Sequence, residues 1–112
     1  MNTSSLQIPH FDIQTSTRDR QLWIQIRGEA DFSNHWNLRS ELNQVELEDT
    51  DSVHLDLSRL TFCDVFAFRQ LLKFGTEVRA SGKPVSVHGA NSTIMKLAWF
   101  LNAPKEIEFV DP

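Results

Sequence analysis

Residues 55–68, Leu-Asp-Leu-Ser-Arg-Leu-Thr-Phe-Cys-Asp-Val-Phe-Ala-Phe, constrain this chain more than any other stretch. An alternating apolar run stops at an acidic residue, Asp64. Helical spacing begins directly after it, through Val65, Phe68, Leu71, Leu72, Gly75 and Val78. A strand that feeds a helix through a short loop leaves the first N–H groups of that helix without internal partners, and anions or proteins dock there. The three residues after Asp64 are Val65, Phe66 and Ala67, with no hydroxyl, thiol or imidazole among them. At those positions the loop therefore has neither a nucleophile nor a phosphate acceptor.

The same kind of reading organises the rest of the chain. Phe11 and Ile13, then Leu22, Ile24 and Ile26, alternate with polar neighbours around a polar turn over residues 15–20. Together they read as a β-hairpin, closed by Gly28. Asp31 or Ser33 caps a helix over residues 34–46, its buried stripe running through Trp36 or Leu38, Leu42 and Val45. After an acidic loop, Val53, Leu55 and Leu57 form a strand; Gly82 and Pro84 stop the second helix. Val85 and Val87 form another strand. Asn91 or Ser92 then caps a helix through Ile94, Leu97, Ala98 and Leu101, and Ile107 and Phe109 form the last strand.

The order β-β-α-β-α-β-α-β predicts an α/β fold: a mixed, mostly parallel sheet with helices packed on it and the first strand antiparallel at one edge. A chain of 112 residues suits one domain. It is expected over residues 10–112, behind a flexible N-terminal tail at residues 1–9.

Composition removes several function classes. The net charge of −4, with no basic run, excludes direct nucleic-acid binding through many phosphate contacts. No segment approaches ~20 apolar residues and the first residues are neither basic nor apolar, so no membrane partner or secretion is expected. One cysteine, Cys63, cannot form an internal disulfide and suits a reducing cytoplasm. Its carboxylate and apolar neighbours predict a buried, unreactive thiol. His10, His35, His54 and His88 lack ligand-like spacing, and no glycine-rich phosphate loop is present, so neither metal nor cofactor is expected. Asp31 and Asp64 both follow strands, either as an acid/base pair or as helix caps. The lack of a nucleophile or third group favours caps and a chain that is not an enzyme.

Gly28-Glu29-Ala30-Asp31, Leu55-Asp56-Leu57-Ser58 and Leu60-Thr61-Phe62-Cys63-Asp64 resemble the STAS domain. That is the family of bacterial anti-sigma-factor antagonists, which also includes cytoplasmic domains of sulphate transporters. The resemblance runs from about Phe11 to Val110. It implies a STAS-like single domain that regulates by binding protein, in the family through a loop whose acidic residue precedes a phosphorylatable Ser or Thr, a small residue and Gly. Asp64 matches the acidic residue. Val65 stands at the phosphoacceptor position, Phe66 at the small residue and Ala67 at the glycine, so all three depart from the pattern.

The resemblance therefore implies an anti-sigma-factor antagonist that binds an anti-sigma factor or a related kinase-like partner without phosphorylation at the usual loop site. Asp31, Asp64, Val65, Phe66 and Arg69 are its expected contact residues. Phe66 either turns into the core or presents its ring outward as a binding anchor. Arg69 and Lys73, four apart with Glu77 a turn further, form either a solvated face or a basic strip that steers an acidic partner. Thr61, Ser58 and Ser33 are the nearby hydroxyls. The alternative is a non-phosphorylated structural subunit of a signalling or transporter-associated complex, as a homodimer or heteromer, with Trp99 and Phe100 as contacts. A small-ligand sensor ranks below both, for want of a phosphate-binding loop.

Overall fold

The computed structural model describes residues 8–110, with nine elements in the order β1 (Phe11–Arg18), β2 (Gln21–Ala30), α1 (His35–Asn43), β3 (Ser52–Asp56), β4 (Leu60–Cys63), α2 (Val65–Ala80), β5 (Val85–His88), α3 (Ser92–Phe100) and β6 (Ile107–Val110). The expected tail over residues 1–9 falls, for residues 1–7, outside the described residues. The sheet order is β1-β2-β3-β5-β6, with β4 pairing the far end of β2. β1 is antiparallel to β2, and all other pairs are parallel. This is the α/β domain that the order of elements predicts, with one additional strand.

The hairpin turns on Asp19 and Arg20 alone, both in the left-handed region at φ 52° and 63°. Two consecutive positive φ values give the turn whose twist matches the flanking strands. The expected six-residue turn is shorter because β1 continues to Arg18. Thr15, Ser16 and Thr17 are exposed there, so no apolar alternation marks them as strand.

The additional strand, β4, arises from two local breaks. Asp56 accepts the N–H of Ser58 at 2.9 Å and its hydroxyl at 2.7 Å, a side-chain turn that ends β3. A bulge between Gly28 and Glu29 then shifts the register of β2, so that Ala30 pairs with Cys63. The segment expected as a loop before the second helix is thus a short strand. Its burial pattern, inward at Leu60 and Cys63 with Thr61 and Phe62 outward, does not alternate.

The helices cover one face. Leu22, Ile24 and Ile26 of β2, Val53 and Leu55 of β3, and Val85 and Val87 of β5 point into a core completed by Leu38, Leu42, Ala67, Phe68, Leu71, Phe74, Val78, Ile94 and Ala98. Helix α1 is shorter than the expected 34–46 and keeps Leu38 and Leu42 buried. Trp36 faces outward instead: it stands two residues, ~200°, from Leu38. Asn91 caps α3 by accepting the N–H of Ile94 at 2.9 Å.

Candidate functional site

Asp64 organises the edge where β2 and β4 end. Its Oδ1 accepts the N–H of Ala67 at 2.9 Å, capping α2. Its Oδ2 accepts the N–H of Phe32, also at 2.9 Å, from the loop before α1. Both oxygens are thus occupied by backbone donors, which is the capping role rather than the acid/base one.

Asp31 holds its own loop. Its Oδ1 accepts the N–H and hydroxyl of Ser33 at 2.8 and 2.6 Å. Asn34 then accepts the N–H of Asp31 at 2.8 Å and donates to the carbonyl of Glu29. Contrary to the sequence expectation, neither Asp31 nor Ser33 caps α1, because their side chains close the preceding turn: Asn34 occupies the cap position, without a side-chain capping bond. The two carboxylates therefore build two turns, and the bond from Phe32 to Asp64 joins them.

An aromatic surface stands on this platform. Phe66 is 43% exposed and its ring meets that of Phe32, 65% exposed, edge-on at a centroid distance of 4.9 Å. Beneath them lies His35, buried, with its Nδ1 2.9 Å from Nε2 of Gln70 on α2. Trp36, 67% exposed, packs on His35 at 4.5 Å. The ring of Phe66 thus faces outward rather than into the core. Val65, at the start of α2, is half-buried.

Arg69 and Lys73 are exposed one and two turns along α2, whereas Glu77 is paired with Arg39 of α1. The expected Arg69–Lys73–Glu77 face is therefore divided. Two cations remain without an acidic partner among the described residues, and Lys73 lines a groove with Trp36, Gln70, Leu72 and Leu101. Asp64, Val65, Phe66 and Arg69 gather at one end of α2, while Asp31 reaches that end only through its loop.

The neighbouring hydroxyls are engaged locally. Thr61 donates to the carbonyl of Gly28 at 3.0 Å, Ser58 to Asp56 and Ser33 to Asp31. Cys63 is buried, and desolvation together with the adjacent Asp64 pushes its thiol up to about 12, as its neighbours predict.

Phe32 and Trp36 are the surface residues that sequence reasoning missed. The signal was available in the geometry of a helix, since Leu38 and Leu42 cannot both be inward with Trp36 beside them. Phe32 carries no such signal.

Two other features lie away from this platform. Trp99 and Phe100 on α3 are 82% and 73% exposed. His54 and His88 meet on the sheet face opposite the helices, although 34 residues separate them. Among the described residues, no group of three or more His, Cys, Asp or Glu side chains is placed to hold a metal ion. No described helix is long and apolar enough to cross a membrane.

Residues 13–103 match the family model described as "Mlab, STAS domain". Among solved structures, an anti-sigma factor antagonist from Mycobacterium paratuberculosis superposes with a TM-score of 0.74 at 13% identity, covering 89% of this chain and 85% of that one. The Bacillus cell-fate determinant SpoIIAA in its phosphorylated form gives 0.66 at 17% identity, covering 88% and 91%. A chain of the stressosome, a signal integration and transduction hub, gives 0.65 at 15%, covering 86% and 85%. At these identities the likeness is one of fold. No curated protein matches the chain in sequence.

Proposed function

The chain belongs to the STAS domain family, and from that premise we propose that it is a protein-binding regulator, an anti-sigma-factor antagonist that works in the cytoplasm without phosphorylation of its usual loop site. Its partner is an anti-sigma factor or a related kinase-like regulatory protein. The contact surface comprises Asp31, Asp64, Val65, Phe66 and Arg69 as expected from sequence, extended by Phe32 and Trp36. The two carboxylates shape this surface, the rings supply contact area, and Arg69 steers an acidic partner.

The observation that carries this reading is the exposed Phe32–Phe66 pair, fixed beside the first turn of α2. Rigid, partly exposed aromatics bury large apolar area at little entropic cost, which is the character of interface anchors. Val65 has no hydroxyl to phosphorylate. A phosphate there would place nearly two negative charges within the apolar patch, so its absence leaves the surface permanently in the binding state.

Affinity capture from native lysate tests the reading, with this chain and its Phe66→Glu variant as baits. Recovery of a kinase-like sigma regulator by the first bait and not the second is the expected result. Equal recovery of one large assembly by both baits overturns it. Stoichiometric phosphorylation of any loop residue by such a partner overturns the unswitched form.

A second reading, a non-phosphorylated subunit of a signalling or transporter-associated assembly, is favoured by the separate exposed pair Trp99–Phe100. The likeness to a stressosome chain is in keeping with it. Light scattering after size exclusion tests it, since a strict monomer that recovers no partner rejects the assembly.

A further inference from the structure

The sheet face opposite the helices holds a cluster that the proposed binding surface does not use. In the parallel pairing of β3 with β5, His54 lies opposite Ser86 and Asp56 opposite His88. Since side chains alternate along a strand, His54 and Asp56 share one face with Ser86 and His88. Nδ1 of His54 and Nε2 of His88 are 3.2 Å apart. The hydroxyl of Ser86 lies 2.6 Å from the first and 2.8 Å from the second. Three polar atoms thus converge on one point.

Two further contacts orient the first imidazole. Its Nε2 is 3.1 Å from the hydroxyl of Ser52. With that nitrogen donating to Ser52, the tautomer leaves the Nδ1 lone pair facing His88. A metal-bound histidine is commonly oriented in this way through its other ring nitrogen. Trp23 stacks on His54 with ring centroids 4.5 Å apart and planes 16° apart, and it also covers His88 at 4.6 Å. The ring of His54 therefore cannot swing freely.

The spacing of the two nitrogens is informative. Zn–N bonds of ~2.0–2.1 Å in tetrahedral geometry place two ligand nitrogens ~3.3 Å apart, close to the 3.2 Å observed. We propose that His54 and His88 form a two-imidazole site for a divalent transition-metal ion on the sheet face opposite the helices, with water completing the coordination. Imidazole suits zinc and copper rather than magnesium or calcium, and copper(II) is held more tightly than zinc at a given site of this kind. With two histidines and no third His, Cys, Asp or Glu placed to join them among the described residues, the site keeps open positions.

The test uses the full chain without an affinity tag, titrated with Zn²⁺ by calorimetry in a non-chelating buffer. One saturable equivalent is expected, weakened at least tenfold in His54→Gln and in His88→Gln and unchanged in His10→Gln. Pulsed EPR of the unmutated chain with one equivalent of Cu²⁺ should count two coordinated imidazoles, a readout that does not depend on any variant folding. Absence of saturable binding, binding by either histidine variant as tight as that of the unmutated chain, or a spectrum without two imidazoles overturns the site.

Discussion

Asp64 accepts the backbone N–H of Phe32 at 2.9 Å, across 32 residues of sequence. Through this bond a single carboxylate sets the start of α2 and fixes the loop before α1. Phe32 and Phe66 are thereby held at a ring distance of 4.9 Å. Within the proposed contact surface, Asp64 contributes by positioning the two rings, since both of its oxygens are engaged by backbone donors.

Replacing Asp64 by Ala removes the partner of two backbone donors at once. A lost cap costs ~1 kcal/mol and a second lost hydrogen bond about as much again. Asp64→Ala should therefore lower the unfolding free energy by about 2 kcal/mol in urea titration. Phe32→Ala, which keeps both bonds, should cost less. Equal losses would show that the carboxylate adds nothing beyond the ring contact.

Edge-to-face aromatic pairs contribute ~0.5–1.5 kcal/mol beyond the area they bury. A double-mutant cycle over Phe32→Ala and Phe66→Ala should yield a coupling energy in that range. The same two variants should each weaken recovery of the protein partner. Independent stability effects would show that the rings merely lie close together.

How far the chain was legible depended on whether burial left a periodic trace. Leu22, Ile24 and Ile26 alternate because helices cover one face and water the other, so β2 reads directly. β4 does not read, because Thr61 and Phe62 both face outward and the strand exists only through the bulge at Gly28 and Glu29. At the candidate site, Asp64 and Phe66 were legible from their place at the junction of strand and helix. The meeting of His54 and His88 was not: it depends on the pairing of β3 with β5, which no local spacing encodes.

Gly28 has φ +102°, and a Cβ there would lie 2.3 Å from the carbonyl oxygen of His10. That oxygen already accepts the N–H of Glu29 at 2.8 Å, so it cannot withdraw without breaking the bond. Strain of this kind costs ~1–3 kcal/mol before any backbone shift. Gly28→Ala should lie at or above the top of that range, measured as a lower urea midpoint with an unchanged slope. Gly82, also at positive φ but with nothing within 4 Å of its would-be Cβ, should lose less on the same substitution.

Cys63 makes stability depend on alkaline pH. Its thiol is held up to about 12 in the fold, chiefly by desolvation and then by Asp64, against an ordinary value of 9.0. The raised value means that the folded state keeps the proton that the unfolded chain gives up. The contribution is therefore complete below about pH 9 and is lost as pH rises from 9 towards 12. In that window it falls by up to ~1.4 kcal/mol per pH unit. The chain has no Tyr, so one common source of alkaline titration is absent. Cys63→Ala should be somewhat less stable at pH 7, where a small gap replaces the sulfur. Its stability should then decline less steeply than that of the unmutated chain between pH 9 and 10.5. Parallel decline of the two would place the thiol in contact with solvent, and rapid labelling of the folded protein by a thiol reagent at pH 8 would say the same.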